Sequence, residues 1–228
     1  MSKRFLKAGL AAVLTAGALA GARADVVTFE DVVPPPSFFA EGDSFSSGGM
    51  TFTVGFAGLG FGVVGASGDF VAPPNGTTGN FFGALNDSGV TMTDPSGQRF
   101  YVAGFDFGFV APFPGIGGPS PGALVALWDD GLGGQGASAF DFGDTGPDGN
   151  WSMRTAGSAD FGDRFPGWVA SVTFFACLYD FAGTCVIPPV DNLAQFALDN
   201  VAVPTPATWM LVALALGAGG VARRRVGA

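Results

Sequence analysis

The chain has 228 residues, 48% of them hydrophobic, with 24 Phe, 38 Gly, 16 Pro and no His, and its 19 acidic residues against 10 basic ones give a net charge of −9. The missing imidazole excludes Ser-His-Asp and Cys-His catalysis and His-ligated zinc, and the acidity excludes nucleic acid, whose binding requires a basic surface. Abundant Phe argues against a disordered chain, although Gly and Pro supply nearly a quarter of the residues.

The first 24 residues have the form of an export signal. Lys3, Arg4 and Lys7 make a positive head, an apolar run follows from Ala8 to Ala20, and Ala22-Arg23-Ala24 offers a small-x-small site for signal peptidase. Cleavage after Ala24 is expected, with the rest of the chain exported. That leaves residues 25–203 as one domain, long enough for a substantial core. All 19 acids lie in it, opposed only by Arg99, Arg154 and Arg164, so it carries a charge of −16 and contains no Lys.

The domain reads as short strands between turns. "DVVTFEDV" is expected to open the sheet, "PPPSFFAEGDSFSSGG" to be loop, and "MTFTVGF", "GFGVVG" and "GVTMT" to be strands. In "FYVAGFDFGFV", period-two alternation puts Tyr101, Ala103, Phe105, Phe107 and Phe109 on one face. "ALVALWDDG", "SAFDFGD" and, more weakly, "NWSMRT" continue the series. "WVASVTFFACLYD" places Trp168, Ala170, Val172, Phe174 and Ala176 together on one face, and "QFALDNVAV" closes the domain. Eight to ten strands without helical periodicity predict an all-β fold, a single jelly-roll-like β-sandwich in which the first and last strands are neighbours. Cys177 and Cys185 are the only thiols. In an oxidising compartment they are expected to close a short disulfide loop.

After the domain come Pro204 and Pro206, then 16 uncharged residues from Ala207 to Ala222, then Arg223, Arg224 and Arg225. As a helix that segment would span about 24 Å at ~1.5 Å per residue, short against a bilayer core of ~30 Å. The arginines belong on the cytoplasmic side, which places the domain outside the inner membrane. This order of Pro-x-Pro, short apolar helix and Arg cluster resembles the PEP-CTERM sorting signal of Gram-negative bacteria; Thr205 stands where that family usually has Glu. The resemblance implies an exosortase that recognises and removes residues 204–228, releasing the protein to the cell surface or exopolysaccharide. The "VTFEDV", "VTFF" and "QFALDNV" stretches resemble the cargo domains of the same family, and Gln195, Phe196 and Asp199 suggest one of its subgroups.

Three chemistries deserve weighing. If the first and last strands are neighbours, Glu30 and Asp31 approach Asp199 and Asn200, and their oxygens could share a calcium ion. Jelly-roll carbohydrate-binding modules, which this region resembles, hold a structural calcium in a similar place. Sugar binding would use an exposed aromatic ring, for which Trp128, Trp151 and Trp168 are the candidates; Trp151 is the expected exposed tryptophan, and Trp168 the expected core one. A glycosidase would need two carboxylates at a fixed separation, and no pair stands out, since "DDG" and "GDTGPDG" (with Asp144 and Asp148) are turn settings. The expectation is therefore a non-enzymatic surface or matrix protein. A glycan-binding module, with or without calcium, is the alternative, and a carboxylate glycosidase comes after it.

Overall fold

In the computed structural model the described residues are 25–55, 60–115, 118–162, 165, 167–185 and 193–204. The export signal with Ala22 and Ala24, the apolar segment 207–222, Pro206 and Arg223–Arg225 lie outside them. Among the described residues no helix is long and apolar enough to cross a membrane.

The strands run in chain order as follows. β1 (Asp25–Val27), β2 (Ser37–Phe39), β3 (Ser44–Ser47), β4 (Met50–Gly55) and β5 (Phe61–Ala66) precede β6 (Asn80–Leu85) and β7 (Gly89–Thr93). Next come β8 (Phe100–Tyr101), β9 (Gly104–Phe109), β10 (Gly122–Asp129) and β11 (Gln135–Asp141). The series ends with β12 (Arg154–Gly157), β13 (Trp168–Val169), β14 (Ser171–Leu178) and β15 (Phe196–Val203). They form two main antiparallel sheets. The first has the order β12-β9-β15-β6-β5-β2, with β1 also on β15; the second is β11-β10-β14-β7-β4-β3; β13 and β8 make a small ribbon. The expected pairing of the first and last strands is present.

Alternation explains how the two sheets meet. Phe105, Phe107 and Phe109 point inward from β9, and Val172, Phe174 and Ala176 from β14; all are buried in one core. Rings cross between the sheets. Phe105 lies 5.1 Å from Phe174 and 5.2 Å from Phe140, both near edge-to-face, and Phe45 stacks 5.8 Å from Phe82. The protein is an all-β sandwich.

Three local expectations are corrected, and one strand not anticipated from the sequence is present. The segment read as loop before "MTFTVGF" contains β2 and β3, because Phe39 and Phe45 find partners in the core margin, their rings 4.4 Å apart. "NFFGAL" forms β6, although Gly83 interrupts its pattern: a side chain there would collide with the Phe70 ring. In the long 100–110 stretch the chain breaks between β8 and β9, so Phe100 and Val102 are buried while Tyr101 and Ala103 are only half-buried. The same happens at Ala170: β13 and β14 are separate, and Trp168 is half-buried against Tyr101, 6.0 Å away, instead of joining the core.

The Cys177–Cys185 disulfide forms, with Cα atoms 5.5 Å apart. It closes a turn whose Tyr179 and Cys185 cover Ala123, Val125 and Phe175 on the outer side of the second sheet. Closing a loop of that length removes unfolded-state entropy worth about 2.5 kcal/mol. The double variant Cys177→Ala/Cys185→Ala should lose about that much in urea unfolding, and reductant should no longer affect its midpoint.

Candidate functional site

The outer side of the first sheet gathers the acids. On the adjacent strands β9 and β15, Asp106 and Asp199 stand directly opposite each other, an arrangement that would destabilise the pair if both were charged. A bulge after Asp199 puts Asn200 at φ 49°, a value that Asn tolerates better than most residues. This turn brings Asn200 back onto both carboxylates. Its backbone N–H donates to Asp199 Oδ1 at 2.7 Å, and its Nδ2 donates to Asp106 Oδ2 at 2.8 Å and to Asp199 Oδ2 at 3.4 Å. Across β12, Thr155 Oγ1 donates to Asp106 Oδ1 at 2.6 Å.

Glu30 comes from the segment after β1, accepting the backbone N–H of Asn80 on Oε1 at 2.8 Å. Gly79, at φ 72°, makes room for it, since a Cβ there would strike that carboxylate oxygen. The field of Glu30 reaches Asp199. Asp199 itself is 2% exposed. Burial pushes its pKa up to about 7; repulsion from Asp106 and Glu30 adds to the rise, and the Asn200 N–H only partly offsets it.

Asp199 and Asn200 thus meet Asp106, which the linear sequence did not single out, while Glu30 is bonded to Asn80 and reaches Asp199 only through repulsion. The signal for Asp106 was present: it is the one charged residue on the outward face of an aromatic strand. Asp31 is not part of the group. Its carboxylate accepts Ser47 Oγ at 2.5 Å and the Gly48 N–H at 2.9 Å. Burial opposes ionisation there, but these two bonds outweigh it and hold the pKa below the usual carboxylate range.

In this cluster the Asn200 side-chain amide donates to both aspartates, and burial favours the protonated form of Asp199. The Asn200 Nδ2 donors face both aspartates, so the position a cation would need is aimed at by hydrogens. Among the described residues no group of three or more Asp, Glu, His or Cys is arranged to hold a metal. A calcium ion would require the Asn200 amide to turn over and present its oxygen.

The other candidates resolve into structure. Trp151 is 4% exposed and packs edge-on against Phe109, 4.9 Å away, so its expected role as an exposed sugar platform is corrected: it is core. Trp128 is 7% exposed. Asp148 accepts the Asn75 side-chain amide at 2.6 Å and the Asn150 N–H at 3.2 Å, and Asp144 caps the Ser120 N–H at 2.9 Å. These are turn-forming acids, as the sequence suggested.

No family model matches the sequence, and no curated protein matches it. Among solved structures, the enzymatically active domain of Bacteriophage CBA120 tailspike protein 4 aligns with 11% identity and a TM-score of 0.30, over 68% of this chain and 19% of that chain. The chain thus spans about a fifth of that protein's length, and a likeness of this degree bears on neither fold nor function.

Proposed function

We propose that this is an exported, non-enzymatic protein of the cell surface or exopolysaccharide matrix. In this reading signal peptidase matures it after Ala24, and an exosortase sorts it through residues 204–228, which resemble a PEP-CTERM tail. The observation that carries the proposal is the Cys177–Cys185 bridge, which uses both thiols of the chain and suits an oxidising compartment. The lysine-free, acidic sandwich agrees with it, as a soluble body that repels nucleic acid. The adjacency of β1 and β15 supports the finer description of the sandwich as jelly-roll-like.

A non-catalytic role is favoured over a glycosidase because the carboxylates that meet are turned onto protein donors. Asp106 is held by Thr155 and Asn200, and Asp199 is buried. A second reading, calcium support of the sandwich, rests on Asp106 and Asp199 standing opposite each other, within the field of Glu30, without a basic partner among the described residues. Glu30, Asp199 and Asn200 would hold the ion, joined by Asp106.

Intact mass of the extracellular species tests the main reading. The expected mass begins at Asp25 and lacks Arg223–Arg225. A species that keeps those arginines excludes exosortase release, and one found only in the cytosol excludes the matrix role.

A further inference from the structure

The second sheet has an outer side divided in two. Toward one end the disulfide turn covers it, and toward the other it is open and lined with hydroxyls. Strand register sets them in rows. Thr173 lies opposite Thr91, Thr91 opposite Thr53, and Thr53 opposite Ser44. Two residues along, Ser171, Thr93, Thr51 and Ser46 form a second row in the same register. Rows crossing neighbouring strands repeat at ~4.8 Å, and the two rows lie roughly 6.7 Å apart along the strands.

The rows differ in their hydrogen bonding. In the first, Thr91 pairs with Thr173 and Ser44 with Thr53, each at 2.8 Å. In the second, none of the four hydroxyls has a partner among the described residues, and all four are at least partly exposed. The second row continues into β10 and β11, where Asp129 is opposite Ser171 and Gln135 is opposite Asp129. A groove of about 430 Å³ lies there, flanked by the apolar Leu127 and Ala137. Hydrogen bonds from the Gly131 N–H and the Gln135 side-chain amide, at 2.6 and 2.7 Å, keep the Asp129 carboxyl below its usual pKa and fix it as an acceptor.

We propose that this face binds a neutral, extended polysaccharide laid across the strands along the second row. The site rests on the matrix reading and names its ligand class. Each of these hydroxyls both donates and accepts, matching the hydroxyls of a sugar, while Leu127 and Ala137 meet ring C–H groups. From Gln135 to Ser46 the row crosses six strands, about 24 Å at ~4.8 Å per step. The four hydroxyl-bearing strands carry no charge on this face, yet the domain around it carries −16. That combination disfavours an acidic polymer; Tyr, Met and Arg are absent from the rows and the groove, and the one Trp there, Trp128, is 7% exposed and packed in the core, which disfavours a protein partner.

The test measures binding of the full chain to an insoluble neutral β-glucan, with alginate as the acidic comparison. Thr51→Val/Thr93→Val/Ser171→Ala removes three hydroxyls while largely keeping shape; Thr93→Val alone is the milder variant should the triple one unfold. Wild type is expected to bind the β-glucan and not alginate, with binding falling at least tenfold in the triple variant and measurably in the single one, at unchanged Tm. Unaltered binding by folded variants, preference for alginate, or no binding by wild type overturns the site. None of these outcomes touches the mass and location of the exported species, which decide the matrix reading separately.

Discussion

Asp199→Asn is expected to stabilise the protein at pH 8 and to lose that advantage as the pH falls toward 4. Asp199 has its pKa raised from 3.8 to about 7 on folding, so the folded state binds the proton more tightly than the unfolded chain does. Its favourable contribution is complete below pH 3.8 and is lost as pH rises through about 7. At ~1.36 kcal/mol per pH unit the wild type forfeits about 4 kcal/mol over that interval. Asn keeps an oxygen for the Asn200 N–H and carries no charge. Urea unfolding of both proteins at pH 5 and pH 8, in chelator, gives the difference. Subtracting the variant also removes the opposite trend of Asp31, whose lowered pKa makes stability fall as the solution is acidified. A difference independent of pH would mean that Asp199 stays ionised throughout. Repeating the measurement with calcium addresses the second reading: the ion should raise the wild-type midpoint and leave the Asp199→Asn and Glu30→Gln variants unmoved. Equal effects on all three would exclude the site.

Phe105→Ala should lose about 3–5 kcal/mol, the range for removing a large aromatic ring from a packed interior. Phe105 is 1% exposed, and its ring meets those of Phe140, Phe161 and Phe174 between 5.1 and 5.8 Å, all near edge-to-face. It therefore joins both sheets and the 3₁₀ turn Ser158–Phe161. Phe38→Ala is the comparison: that ring is 67% exposed, and its removal should change stability by no more than about 0.5 kcal/mol. Chemical denaturation of the two variants should separate them clearly. Similar losses would place the anchor of the sandwich elsewhere.

Much of this architecture is written in local alternation. "GVTMT" and "QFALDNVAV" become β7 and β15 almost residue for residue, because each bears one apolar face and is bounded by turn residues. Strand breaks at Val102–Ala103 and at Ala170 were not legible, since a pattern of period two continues on paper where the backbone has turned. Trp151 was misread for a related reason: the polar, Gly-rich stretch before it resembles an exposed turn, while burial is imposed by Phe109 from a distant strand. The acidic cluster was half visible. The approach of Glu30 to Asp199 follows from joining the first strand to the last, but Asp106 enters only through the β9–β15 register. The hydroxyl rows depend on register across four strands, so their Ser and Thr residues, scattered between positions 44 and 173, look unrelated in one dimension.

Trp151 has a further consequence. Its indole Nε1 is buried and meets no acceptor, so the excited ring lies in an apolar cage and should emit at short wavelengths. Emission would shift to the red once water reaches the ring. With Trp128, Trp168 and Trp209 each replaced by Phe, changes in that colour would follow the Phe109 contact in real time, giving the molecule an intrinsic optical gauge of whether its core is closed.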